Sequence, residues 1–167
     1  MILGKNFFFF CLCSLIFLLP GCWPGKNKES VSKIEDFAIV NVLGKDYYDD
    51  CHIKAPNSIY VDYQKIDEIG NMIGKNAEVV LYCANYMCKA SANARNKMLQ
   101  MGYDPKKVFL YEGGAAEWFK KGFPVGGPCK KGYLAMVGEP PEEKTDYMLT
   151  AEELKAKVDA YIAQQKK

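Results

Sequence analysis

Between Phe37 and Trp118 the chain alternates short, near-continuous apolar runs with segments of helical periodicity, and this alternation restricts the fold more than any other feature. Phe37 to Leu43 (Phe-Ala-Ile-Val-Asn-Val-Leu) is β-branched and almost unbroken, as in a strand covered on both faces. Ile59 to Val61 reads as a second short strand, and Tyr63 to Ile73 places Ile66, Ile69 and Ile73 at helical spacing before Gly74-Lys75-Asn76 ends it. Glu78 to Cys83 reads as a buried central strand. Ala90 to Met101 then sets Ala90, Ala94, Met98 and Met101 along one helical face and closes at Gly102. Val108 to Tyr111 is another strand, and Gly113-Gly114 opens a short helix through Trp118. Strands that alternate with helices imply a parallel sheet with helices on both faces, so the fold class is α/β.

At 167 residues, with 49% apolar and 13% aromatic content, the chain can build one domain and a tail but not a second full domain. The formal net charge is +2 and the signs are interspersed, so there is no field of one sign to attract nucleic acid.

Lys5 precedes an apolar run from Phe7 to Pro20, broken only by Ser14, with the charge and length of a secretory signal core. A membrane-spanning helix needs about 20 apolar residues, more than this run supplies. The run ends in Leu19-Pro20-Gly21-Cys22, which resembles the lipobox of bacterial lipoproteins, although Pro20 departs from the small or β-branched residue usual there. The resemblance implies that residues 1–21 are a signal peptide, removed with Cys11 and Cys13, and that Cys22 is the lipidation site. Residues 22–32, polar with Pro and Gly, form a tether, and the folded domain spans 33–127. The expected location is extracytoplasmic, lipid-anchored to a bacterial membrane. Seven cysteines then reduce to Cys51, Cys83, Cys88 and Cys129 in the folded part, in an oxidising or mixed setting, and four thiols permit three pairings.

In an open α/β sheet the reactive crevice lies beyond the carboxyl ends of the strands, where Cys83 ends the central one. The loop Ala84-Asn85-Tyr86-Met87-Cys88-Lys89 leads straight into the next helix. Its backbone N–H groups and the helix N-terminus can favour a sulfur anion, which lowers a thiol pKa and steadies a persulfide. Cys83 is therefore the candidate nucleophile. Cys88 on the same loop can resolve a persulfide on Cys83, form a regulatory disulfide with it, or act as nucleophile itself. The pair lacks the tight spacing and further ligands of a zinc site, and no metal is expected.

Around these residues the chain resembles the rhodanese family. Val79-Val80-Leu81-Tyr82-Cys83 is similar to the strand that delivers the family's persulfide-forming cysteine, and Ala90-Ser91, Met98 and Gly102-Tyr103 to the helix that follows. Gly113-Gly114-Ala115-Ala116-Glu117-Trp118 with Gly122-Phe123-Pro124-Val125 resembles the closing motif, and Cys51-His52-Ile53 the upstream His-Ile motif. The resemblance implies a rhodanese-like sheet and a sulfurtransferase that needs no cofactor. Cys83 would take sulfane sulfur from a small donor, namely thiosulfate, polysulfide or a persulfide, and pass it to a thiol acceptor.

The departures lie in the loop. Tyr86, and Cys88 or Ala90, stand where the family carries a glycine and an arginine, and the loop is about two residues longer. A longer loop is also similar to rhodanese-fold phosphatases and arsenate reductases, but without arginine nothing grips an oxyanion in bidentate fashion. Lys89 offers a less rigid charge, and the missing arginine shifts the expected donor from thiosulfate toward a neutral species or polysulfide. Two other classes stay open: a non-catalytic binding module and a thiol redox protein using Cys83 and Cys88.

His52 is expected to fix a turn, as its family counterpart does, and Trp118 to pack in the core. Cys51 and Cys129 have no family counterpart, and a disulfide between them is one open pairing. Asp46-Tyr47-Tyr48-Asp49-Asp50 reads as a solvated loop. Residues 128–167 form an extension, irregular to Lys144 and then helical over about 150–165. Thr150-Ala151-Glu152-Glu153 is a capping box for that helix, with Leu154, Val158 and Ile162 on one face.

Overall fold

The computed structural model describes residues 32–166; the segment expected to be a signal peptide and the expected lipidation site Cys22 lie outside them. Among the described residues no helix is long and apolar enough to cross a membrane. In chain order the elements are β1 (Phe37–Asn41), α1 (Lys45–Asp50), β2 (His52–Ile53), β3 (Ser58–Tyr60), a 3-10 helix (Tyr63–Asn71), β4 (Glu78–Tyr82), α2 (Ala90–Gln100) and β5 (Val108–Tyr111). There follow α3 (Gly114–Lys120), β6 (Val125–Gly126), a short 3-10 turn (Gly132–Ala135) and α4 (Ala151–Gln165).

The main sheet has the order β3-β1-β4-β5, and every pair is parallel. Ile39 stands between Ser58 and Val80, and Leu81 between Val40 and Leu110. Successive side chains of a strand point to opposite faces, so each apolar run feeds two cores. Ala38, Val40, Val79, Leu81, Val108 and Leu110 meet α2 and the longer 3-10 helix. Phe37, Ile39, Val80, Tyr82 and Tyr111 meet α3 and α4 on the other side. The expected α/β class and the double-sided burial are both present.

Local differences have identifiable causes. β1 stops at Asn41, whose Oδ1 accepts the Leu43 N–H at 2.9 Å and turns the chain out of the sheet. The helix expected over Tyr63–Ile73 is a 3-10 helix that is kinked at Lys65 and capped by Asp62, which accepts the Gln64 N–H at 2.8 Å. The segment read as a solvated loop, Asp46 to Asp50, is instead helical as part of α1, and Asp50 is buried. Its carboxylate accepts the N–H groups of Lys130 and Lys131 at 3.0 and 3.1 Å, partners that local sequence does not reveal. His52 stacks on Tyr48 at 4.2 Å with Nδ1 2.8 Å from the Tyr48 carbonyl, a place in the β2–β6 corner rather than in the loop after β4.

The C-terminal extension belongs to the core. A disulfide joins Cys51 to Cys129 at its start. Farther on, Leu110 donates its N–H to the Tyr147 carbonyl and accepts from the Leu149 N–H, both at 2.8 Å, so the extension covers the open edge of β5. The capping box forms at Thr150 and Glu153, and α4 buries Leu154 and Val158 against the second core with Ile162 partly buried beside them.

Candidate active site

β4 ends at Tyr82, and the pleat puts Cys83 on the same face as Val79 and Leu81. Its side chain is fully buried in the core under α2. The Sγ lies 3.2 Å from the Cys88 carbonyl oxygen, 3.4 Å from Ser91 Oγ and 4.0 Å from the Asn85 carbonyl oxygen. The expected fan of loop amides around this sulfur is not what surrounds it. Its thiol is pushed well above the ordinary range by its hydrogen bond to Cys88, then by burial and the negative charge on Cys88, with Ser91 opposing.

The loop amides serve Cys88 instead. This thiol is partly buried and is pushed down to about 6, first by the Cys83 thiol donating to it, then by the backbone N–H groups of Ala90 and Ala84 and the charge of Lys89; burial opposes. α2 begins at Ala90, so Cys88 sits just before the positive end of an eleven-residue helix. The loop therefore contains a buried neutral thiol beneath a more accessible thiolate.

Asn85 holds the loop in this shape. It is buried, its Oδ1 accepts the Met87 N–H at 3.1 Å, and its carbonyl accepts the Cys88 N–H at 3.1 Å. Its Nδ2 donates to the Met136 carbonyl at 2.6 Å, and Tyr86 N–H donates to the Val137 carbonyl at 3.1 Å, so the extension is strapped to the loop. The Tyr86 hydroxyl donates to Glu117 Oε2 at 2.9 Å, and the Tyr111 hydroxyl reaches the same oxygen at 2.9 Å. Burial, followed by the Glu117 carboxylate, keeps the Tyr86 phenol protonated. Met87 and Lys89 project outward, with Met87 61% exposed.

The paired glycines complete the frame. Ala115 and Ala116 donate their N–H groups to the Cys83 and Ala84 carbonyls at 3.0 and 2.9 Å. That approach requires Gly114, whose φ is +62° and whose missing Cβ would stand 2.5 Å from the Ala84 carbonyl carbon. Trp118 packs in the second core and donates from Nε1 to the Pro124 carbonyl at 2.8 Å.

No arginine serves the loop. The single arginine of the sequence, Arg95, donates to the carbonyls of Val108 and Pro105 at 2.8 and 3.1 Å and stacks on Tyr147. Among the described residues no group of three or more His, Cys, Asp or Glu side chains could hold a metal. Sequence reasoning listed the loop residues and placed Ser91 and Glu117 in family motifs without these contacts, and it missed the Met136–Val137 strap. The Ser91 contact could have been found from its place in the first turn of α2; the strap carries no local signal.

A parallel sheet covered by helices, with a cysteine-bearing loop between β4 and α2, defines the class of fold as a single α/β domain. The Rhodanese-like domain family model matches residues 26–121, more than half of the chain, and the chain belongs to that family. Among solved structures it is similar to the BH2092 protein from Bacillus halodurans, at 28% identity over 56% of this chain and 65% of that one, with a TM-score of 0.49. It is also similar to the Alr3790 protein from Anabaena sp., at 23% identity over 55% of this chain and 67% of that one, with a TM-score of 0.47. A third is described as rhodanese with anions from E. coli, at 20% identity over 55% of this chain and 98% of that one, with a TM-score of 0.44. The match thus spans just under two thirds of the Bacillus chain. No curated protein matches the sequence.

Proposed function

We propose that the protein is a sulfurtransferase in which Cys88, with Cys83 beneath it, first takes up sulfane sulfur. What carries this reading is the placement of Cys88: a free, partly exposed thiol just before the N-terminus of α2, in a setting that pushes it down to about 6. A thiolate near neutral pH is the reactive form of cysteine. It attacks the outer sulfur of a donor, the donor's S–S bond breaks, and the donor leaves as a thiolate, a shortened polysulfide, or sulfite if it was thiosulfate. Cys88 keeps the sulfur as a persulfide, whose outer sulfur passes to an acceptor thiol. With Arg95 engaged elsewhere, a polysulfide or organic persulfide suits the loop better than the thiosulfate dianion.

Mass spectrometry of the chain after exposure to polysulfide, to an organic persulfide and to thiosulfate tests this. One added sulfur is expected in Cys83→Ser, which retains the Cys88 thiol, and none at the loop of Cys83→Ser/Cys88→Ser. No uptake by Cys83→Ser, or uptake undiminished in the double variant, overturns it.

We also propose a site of action at the cell envelope, with Cys22 lipidated. The Cys51–Cys129 disulfide supports an oxidising compartment. Cys22→Ser should move the protein from the membrane fraction to the soluble fraction of cells; an unchanged distribution rejects the anchor.

A further inference from the structure

Cys83 is fully buried, under α2 on one side and under the loop that carries Cys88 on the other. No external donor or acceptor can reach it. Its Sγ lies 3.2 Å from the Cys88 carbonyl oxygen, so the other free thiol of the loop, that of Cys88, is its immediate neighbour. A persulfide on Cys88 would therefore be approached from two sides: acceptor thiols meet its outer sulfur from solvent, and Cys83 meets its inner sulfur from below.

We infer that Cys83 resolves the Cys88 persulfide from within, releasing hydrosulfide and closing a Cys83–Cys88 disulfide, so that the protein is also a persulfide reductase. This rests on the proposed sulfur uptake by Cys88. In the step, the Cys83 sulfur bonds to the Cys88 Sγ, the bond from that Sγ to the outer sulfur breaks, and the Cys83 proton leaves with it: Cys88–S–S⁻ and Cys83–SH give Cys83–S–S–Cys88 and HS⁻. The sulfane sulfur gains two electrons, and the two cysteine sulfurs lose them. An external dithiol reductant must reduce the disulfide before the next cycle. The intramolecular attack competes with acceptors because one short loop, pinned by the Cys88 N–H bond to the Asn85 carbonyl, keeps Cys88 over Cys83, whose Sγ is 3.2 Å from the Cys88 carbonyl oxygen.

Attack at the inner sulfur is favoured by position, since Cys83 lies on the protein side of Cys88 and the outer sulfur extends away from it. Hydrosulfide is also a good leaving group. Acceptor supply then decides the product. With acceptor present the sulfur is transferred; without it the sulfur is discarded as sulfide and the loop is locked as a disulfide.

The test is a single turnover of the reduced chain with one equivalent of glutathione persulfide and no further thiol, followed by intact-mass analysis and a sulfide assay. Wild type should release about one sulfide per chain and lose two hydrogens, while Cys83→Ser and Cys83→Ala should keep the added sulfur and release none. Peptide mapping should find the new disulfide between Cys83 and Cys88, and addition of a dithiol should restore both thiols. A wild-type persulfide that persists with no sulfide released overturns the inference and leaves sulfur uptake standing. Absence of added sulfur from Cys83→Ser and Cys83→Ala alike, with no sulfide from the wild type, removes the uptake reading and this inference with it.

Discussion

The Sγ of Cys83 lies 3.2 Å from the carbonyl oxygen of Cys88, inside the core, while the Cys88 thiol sits partly exposed above it. The two sulfurs therefore have opposite electrostatic settings although five positions separate them. The interaction with Cys88, then burial, keeps Cys83 protonated; the Cys83 thiol, then the amide N–H groups of Ala90 and Ala84, favour the Cys88 anion.

Alkylation should separate the two thiols. Cys88 should react with iodoacetamide at a rate that rises with pH and levels off above about 6, because its thiolate is lost only as pH falls through that value. Cys83 should stay unlabelled in the folded protein throughout. Cys83→Ala, which removes the main donor to Cys88, should move the midpoint up toward the ordinary thiol value of about 8.5. Quantitative labelling across pH checks all three outcomes.

Asn85→Ala should loosen the loop without touching either sulfur. It removes a buried side chain that binds both the Met87 N–H and the Met136 carbonyl. A loss of about 1–3 kcal/mol in urea unfolding is expected, with a higher pH midpoint for Cys88 labelling. Unchanged stability would show that the strap does not hold the loop.

Gly114→Ala should be more damaging than its size suggests. The added methyl would meet the Ala84 backbone at 2.5 Å in a left-handed conformation, and the N–H bonds to the Cys83 and Ala84 carbonyls would have to shift. A cost above about 2 kcal/mol is expected in denaturant titrations. Gly122→Ala, also at positive φ but with nothing within 4 Å of its missing Cβ, should cost less.

The Cys51–Cys129 disulfide closes a loop with a sequence separation of 78 residues. By chain entropy its removal in a Cys51→Ala/Cys129→Ala variant should cost about 4 kcal/mol. The extension begins at this bond, so the variant should also show faster amide exchange over residues 130–138. Exchange unchanged there would place the tether of the strap in Asp50 and Asn85 alone.

The alternation of apolar runs was enough to read the parallel sheet, its two covered faces and the position of the cysteine loop, because strand and helix periods are local properties of the chain. The same alternation, followed one residue farther, places Cys83 with Val79 and Leu81 and so inside the core. That signal was present in the sequence, yet the pull of a helix N-terminus on any nearby thiol masked it. The capping box at Thr150 and Glu153 was also legible, since its partners are three residues apart.

Other features depend on contacts between distant parts of the chain. The burial of Asp50 is decided by the Lys130 and Lys131 N–H groups, eighty and eighty-one positions away. The shape of the loop is decided by Met136 and Val137, and the hold on Tyr86 by Glu117. Sequence determined that a cysteine loop would open at the carboxyl end of the sheet. Which sulfur bears the charge was decided only by folding, because ionisation follows the donors and dielectric that tertiary packing brings to each thiol.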